Sequence, residues 1–208
     1  YSIPFPSNFH TGPQVKRLPW RKEHERPGQR QHLITFMGTT QITATRPKLL
    51  REAIIEQCAL LTDSECFIAR LSTHLSTVSL RPVYARSRLC LMPGGDFPTR
   101  KAVLDALFVG CVPVLFQKSS AHTQWLWHWG GQNVVNNATV FMHMEYFVHH
   151  PTAAMNELLD VARDEAAVSR MRAAFDILAF RMQYSQLGVV NGPKDAVDVV
   201  LDHFAAHI

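Results

Sequence analysis

The stretch Ser87–Phe116, SRLCLMPGGDFPTRKAVLDALFVGCVPVLF, decides the fold. Arg88–Met92 (RLCLM) and Val112–Phe116 (VPVLF) are brief apolar runs of the kind that form strands buried on both faces. Between them, Pro93, Gly94, Gly95 and Asp96 read as a turn and about Pro98–Val109 as a helix, with Gly110 suited to the left-handed residue that closes it. Strand, turn, helix and strand make a βαβ unit, which places its two strands parallel in one sheet.

The same alternation extends outward. Leu33–Gly38 (LITFMG), Cys66–Leu71 (CFIARL) and a short Asn133–Val135 read as further strands. Pro47–Leu61 is helical by spacing, with Leu50, Ile54, Cys58 and Leu61 on one face and Pro47 where helices start. From Pro151 the pattern is purely helical: Met155, Leu158 and Leu159; then Val168, Met171, Phe175, Leu178 and Met182; then Val197, Val200, Leu201 and Phe204. These apolar stripes are expected to cover a mostly parallel sheet in an α/β domain. Residues 1–30 open on YSIPFPSNFHTGP, continue polar and charged, and read as a leading linker or loop.

Composition narrows the function. A chain of 208 residues, 47% apolar, is long enough for one domain with a real core. The 21 Lys and Arg exceed the 17 Asp and Glu only slightly, and part of the excess is local, at Lys16, Arg17, Arg21, Lys22, Arg26 and Arg30. Glu23 and Glu25 interrupt that run, and no aromatic-studded basic stripe or helix-turn-helix pattern accompanies it, so no nucleic-acid partner is expected and anionic small molecules fit better. Of the 11 histidines, His143, His149 and His150 near Glu145, and His122 and His128, carry no HExxH or comparable spacing, so no metal is expected. Cys90 and Cys111 sit in apolar runs as small core residues, whereas Cys58 and Cys66 flank a polar turn and are placed to pair in an oxidising lumen. The chain starts at Tyr1 without an apolar run of about twenty residues, so an anchoring segment is expected outside it.

The chemistry concentrates at the turn. Ligands of open α/β sheets bind outside the carboxyl ends of strands, and a helix amino end presents unpaired N–H groups that attract anions. Phe97 and Thr99 both stand where the N-cap belongs, Thr99 having the side-chain oxygen for it. Arg100 and Lys101 lie in the first turn, where the helix dipole opposes bases by about 0.3–1 kcal/mol each, a cost that a bound anion offsets. Asp105 follows Thr99 by roughly 9 Å along the axis, a spacing that suits a ribose beside a diphosphate.

The turn resembles the signature of the exostosin family of glycosyltransferases. A strand ending in Phe-Cys-Leu-x-Pro is followed there by Gly-Asp, Ser or Thr, then Asp or Glu-Ala, then Gly-Cys-Ile or Val-Pro-Val. Here Ser87, Cys90, Leu91, Pro93, Gly95, Asp96, Pro98, Thr99, Asp105, Ala106, Gly110, Cys111, Val112, Pro113 and Val114 stand in register. IPFPSNFH, LITFMG, the stretch from Arg46 to Arg51, Trp129 and AVDVVLDHF resemble family landmarks in order, over essentially the whole chain. The resemblance implies a Rossmann-like three-layer sandwich over residues 31–208, the carboxy-terminal, nucleotide-sugar-binding half of a GT-B glycosyltransferase.

By that resemblance Asp105 would hold the ribose, and the turn from Gly94 through Gly95 and Asp96 to Thr99 the diphosphate and sugar. Arg46, Arg51 or Ser87 would line the donor cleft. Two positions depart from the pattern: Gly94 stands where an Arg is often found, and Ala102 where an Arg usually precedes the acid by three residues, so Arg100 or Lys101 would have to supply the charge. The resemblance further implies inverting transfer from a UDP-linked nucleotide sugar to a glycan or glycoprotein. No resident cofactor is implied. It also implies a missing amino-terminal domain that holds the acceptor and an unidentified catalytic base, and a lumenal position at the Golgi membrane. The alternative is a catalytically inactive exostosin-like domain that serves as a binding or complex-forming partner.

Overall fold

The computed structural model describes residues 3–6, 30–70, 82–97, 100–120, 123–185 and 194–206. Strands β1 (His32–Gly38), β2 (Cys66–Arg70), β3 (Ser87–Met92), β4 (Val112–Leu115) and β5 (Val140–Phe141) form one sheet in the order β2-β1-β3-β4-β5, every pair parallel. The described helices include α1 (Thr45–Ala59), α2 (Lys101–Phe108), α3 (Leu126–Trp129), α4 (Gln132–Ala138), α5 (Met144–His149), α6 (Pro151–Arg163), α7 (Glu165–Asp176) and α8 (Ala196–Ala205).

Successive strand residues alternate between the two faces of the sheet, and each face has its own core. Ile34, Phe36, Leu89, Leu91, Val112 and Val114 pack with Leu50 and Ile54 of α1, Phe147 of α5 and Met155, Leu158 and Leu159 of α6. Met37, Cys90, Met92 and Leu115 pack with Val103, Leu104 and Leu107 of α2, Trp129 of α3, Val135 of α4 and Phe175 of α7. Helices on both faces of a parallel sheet give the expected three-layer, Rossmann-like arrangement.

Local signals set the element ends. Gly110 at φ 72° closes α2, its N–H donating to the Leu107 carbonyl. Pro151 opens α6, the Asp164 carboxylate caps α7 through the Ala167 N–H, and Asp195 and Asp198 form a reciprocal capping box on α8.

Several expectations change. Asn133–Val135 is helical, inside α4, and the fifth strand is Val140–Phe141. Val135 and Ala138, three residues apart, are both buried in the same core, which one helix face allows and the alternating faces of a strand do not, while Val140 and Phe141 pair with Val114 and Leu115. Helix α2 begins at Lys101 rather than near Pro98, with Arg100 as its N-cap in extended backbone and no side-chain cap. Leu71, Pro98 and Thr99 lie outside the described residues. On α8, of the stripe Val197, Val200, Leu201 and Phe204, Val200 is half-buried and the other three are exposed, and the helix docks through Ala196 and Val199.

Cysteine pairing extends further than expected. Cys58 and Cys66 are bonded, joining the end of α1 to the start of β2, and so are Cys90 and Cys111, whose Cα atoms lie 5.9 Å apart. Cys90 and Cys111 are fully buried as anticipated, but they are not free thiols: neighbouring parallel strands bring Cys90 opposite Pro113, two residues from Cys111. The chain start packs on the same body where it is described. The Tyr184 hydroxyl donates to the Pro4 carbonyl at 2.7 Å, and Phe5 meets Trp125 edge to face. Arg30 donates to the carbonyls of Ser87 and Val109. No helix among the described residues is long and apolar enough to cross a membrane.

Candidate functional site

The strand order sets the position of the site. From β1 the chain steps to β2 on one side and returns to β3 on the other, so the connections after β1 and β3 leave toward opposite faces. A crevice opens between them outside the carboxyl ends of those strands. Its described walls are residues 39–44, leading into α1, and residues 93–97 with Arg100, leading into α2.

Two side chains lock these walls together. Arg51 reaches back from the second turn of α1, only 2% exposed, and its Nη1 donates to the Thr39 carbonyl at 2.5 Å. Its Nε and Nη2 both donate to the Gly94 carbonyl, at 3.1 and 2.9 Å. The planar guanidinium bridges two backbone carbonyls that a single ammonium would not span. Burial brings its pKa down to about 10, with the Arg100 charge acting in the same direction and Asp96 against it.

Asp96 makes the reciprocal contact. Its Oδ1 accepts from the Thr43 N–H at 3.0 Å, the Thr43 hydroxyl at 2.6 Å and the Ala44 N–H at 3.4 Å. These bonds, the Thr43 hydroxyl first, hold the exposed carboxyl below its ordinary range. Helix α1 has Ala44 as N-cap and no acid in its first turn, so Asp96 supplies from across the crevice the negative charge its amino end favours.

The glycines of the turn act through space rather than through conformation. Among the described residues the positive-φ glycines are Gly110, Gly130 and Gly131, which leaves Gly94 and Gly95 in ordinary backbone. A Cβ on Gly94 would stand 3.3 Å from Gln117 Oε1 and 3.7 Å from Pro47, so the bare backbone lets the β4 connection and α1 close on the turn.

A second cluster lies at the start of α2. Arg100 turns back, donating from Nη1 to the Pro93 carbonyl at 3.1 Å, and desolvation lowers its pKa. Lys101 Nζ donates to Asp105 Oδ2 at 2.7 Å, one turn on. The other carboxylate oxygen, Asp105 Oδ1, is buried without a hydrogen-bond partner. Burial raises the Asp105 pKa, against the lowering effect of Lys101. Beneath them the buried Tyr84 hydroxyl is pushed up to about 12, chiefly by desolvation; Arg100 opposes this and Asp105 adds to it.

The expected site residues are thus distributed unevenly. Gly94, Gly95, Asp96, Arg100, Lys101 and Asp105 share the turn and the first turn and a half of α2, with Arg51 behind them. Arg46 stands exposed at the amino end of α1, paired to Glu145 at 3.4 Å. Ser87 is buried at the opposite end of β3, roughly 16 Å down the strand, with its hydroxyl on the Val83 carbonyl. Thr99 lies outside the described residues. Thr43, Gln117 and Tyr84 belong to the site but not to the sequence reading. Thr43 just before a proline-started helix was the available signal; nothing local distinguished the other two.

The arrangement can receive an anion at the amino end of α2 and hydroxyl donors at Asp105. Among the described residues no group of three or more His, Cys, Asp and Glu is placed to hold a metal ion. His128 is buried with Nε2 against the Ala196 carbonyl, and His149 faces Glu145.

Known proteins are similar to this chain in sequence. The model of the Exostosin GT47 domain matches residues 1–154. A probable xyloglucan galactosyltransferase of Arabidopsis thaliana is 30% identical over 213 residues, covering 99% of this chain and 44% of that protein. A xyloglucan galactosyltransferase of the same plant is 32% identical over 62% of this chain and 20% of its own length. A xyloglucan-specific galacturonosyltransferase from it is 33% identical over 61% and 19% respectively. The chain therefore spans less than half the length of these relatives.

Proposed function

We propose, for a chain that belongs to the exostosin GT47 domain family, that it is the donor-binding half of a nucleotide-sugar-dependent glycosyltransferase acting on a glycan. The observation that carries the reading is Asp105 Oδ1: a buried carboxylate oxygen without a partner, one turn into the helix that follows the Gly-Gly-Asp turn. An unpaired buried acceptor costs about 1–3 kcal/mol, which the hydroxyls of a bound ribose would recover. The amino end of α2 and the cations beside it stabilise the departing diphosphate. Relatives named for galactosyl and for galacturonosyl transfer to xyloglucan support a nucleotide sugar as donor and a polysaccharide as acceptor. In this reading an amino-terminal domain, for which the greater length of the relatives leaves room, brings the acceptor and the base that takes its proton. Two disulfides among the described residues fit an oxidising lumen, the Golgi in this proposal.

Thermal denaturation with uridine diphosphate tests the reading. Ligand at a hundred times its Kd should stabilise the fold by about 2.7 kcal/mol, and Asp105→Ala should abolish the gain. A melting curve unmoved by any nucleoside diphosphate would overturn it.

A further inference from the structure

Lys101 and Asp105 form an ion pair that local helix physics does not favour. A base in the first turn faces the positive end of the helix dipole. Lys placed four residues before an acid is the weaker order for an i, i+4 pair. The pair also leaves one carboxylate oxygen buried and unpartnered. A local arrangement that breaks such rules without evident structural gain marks a functional site.

The surrounding cations point to the same conclusion. Arg51 is fixed on the Thr39 and Gly94 carbonyls, Arg100 on the Pro93 carbonyl, and Arg46 is paired to Glu145 at the exposed start of α1. Gly94 and Ala102 bring no charge. Lys101, about one-third exposed, is the described cation at this turn whose partner is itself a ligand candidate, and its flexible stem can swing without disturbing the backbone.

We infer that donor binding proceeds by partner exchange, in which Lys101 leaves Asp105 for the diphosphate while both oxygens of Asp105 pass to the ribose hydroxyls. This deepens the donor-site reading above and rests on it. Before binding, Lys101 neutralises a carboxylate that would otherwise sit charged and desolvated; on binding, each half of the pair meets its own part of the ligand. Lys101 thereby couples recognition of the phosphates to recognition of the sugar, and selects nucleoside diphosphates over nucleosides.

Calorimetric titration of the full-length chain with uridine diphosphate and with uridine reads this directly. Lys101→Gln should weaken uridine diphosphate about tenfold or more and leave uridine unchanged or tighter, because Asp105 is then released from its partner. Lys101→Arg should restore the diphosphate preference. Loss of both ligands alike in Lys101→Gln, or an affinity ratio within about twofold of wild type, would overturn the exchange while leaving the donor site standing. Absence of uridine diphosphate binding by the wild-type chain would overturn the donor-site reading and the exchange with it.

Discussion

Asp105 shows how a single residue can be held at a cost. Its pKa is raised, so the folded chain binds that proton more tightly than the unfolded one. Its effect on stability is therefore most favourable below the ordinary Asp value of about 3.9 and declines as pH rises through the folded pKa. Asp105→Asn should accordingly raise Tm at neutral pH. The gap between variant and wild type should close on acidification, and melting curves across that range check it; a gap independent of pH would sink the account. The same variant should lose nucleotide binding. Asp96 is the opposite case, a carboxyl held below its ordinary range by Thr43 and Ala44, and its bonds shape the crevice rather than wait for a ligand.

Among the elements, β3 and β4 carry the greatest structural demand, since they deliver the turn and α2. The bond between Cys90 and Cys111 closes a loop of 21 residues that contains both. By loop-closure entropy it is worth about 3 kcal/mol, against about 2.5 for Cys58–Cys66 with its separation of 8. Replacing Cys90 and Cys111 by Ala should therefore lower the urea midpoint more than replacing the other pair, and should weaken nucleotide binding as well. Equal losses would show that residual structure in the unfolded chain, rather than loop length, sets the scale. The strand-to-helix revision at residues 133–135 lies at this level too. Two adjacent valines fit either state, and what decides is that Gly130 and Gly131, both at positive φ, turn the chain into a helix whose Val135 and Ala138 face the core.

For the molecule as a whole, the carboxy-terminal helix departs most from its pattern. Val197, Leu201 and Phe204 form an apolar stripe by spacing, yet Leu201 is 60% and Phe204 52% exposed. Leu201→Gln should change stability by no more than about 0.5 kcal/mol, whereas Val199→Ala, on the docked face, should cost about 1 kcal/mol or more in urea unfolding. A large loss at Leu201 would mean that the stripe is covered. The groove beside this helix, lined by Trp127, Phe180, Arg181, Asp202 and His203, is built from residues distinct from those of the donor turn.

The sequence by itself determined the α/β class, four of the five strands, the helix closed by Gly110, the family and the turn that carries the chemistry. These are written in short-range patterns: apolar runs, helical spacing and glycine at a left-handed position. Only the tertiary structure decided which candidates meet. Ser87 and Asp96 are nine residues apart in the same segment, but the extended strand sends them to opposite ends of the sheet. Arg51 and Gly94, 43 apart in sequence, are joined because the order β2-β1-β3 places their connections side by side. Strand order, the Cys90–Cys111 pairing and the solvent-facing side of α8 are long-range outcomes of packing, which no local period records.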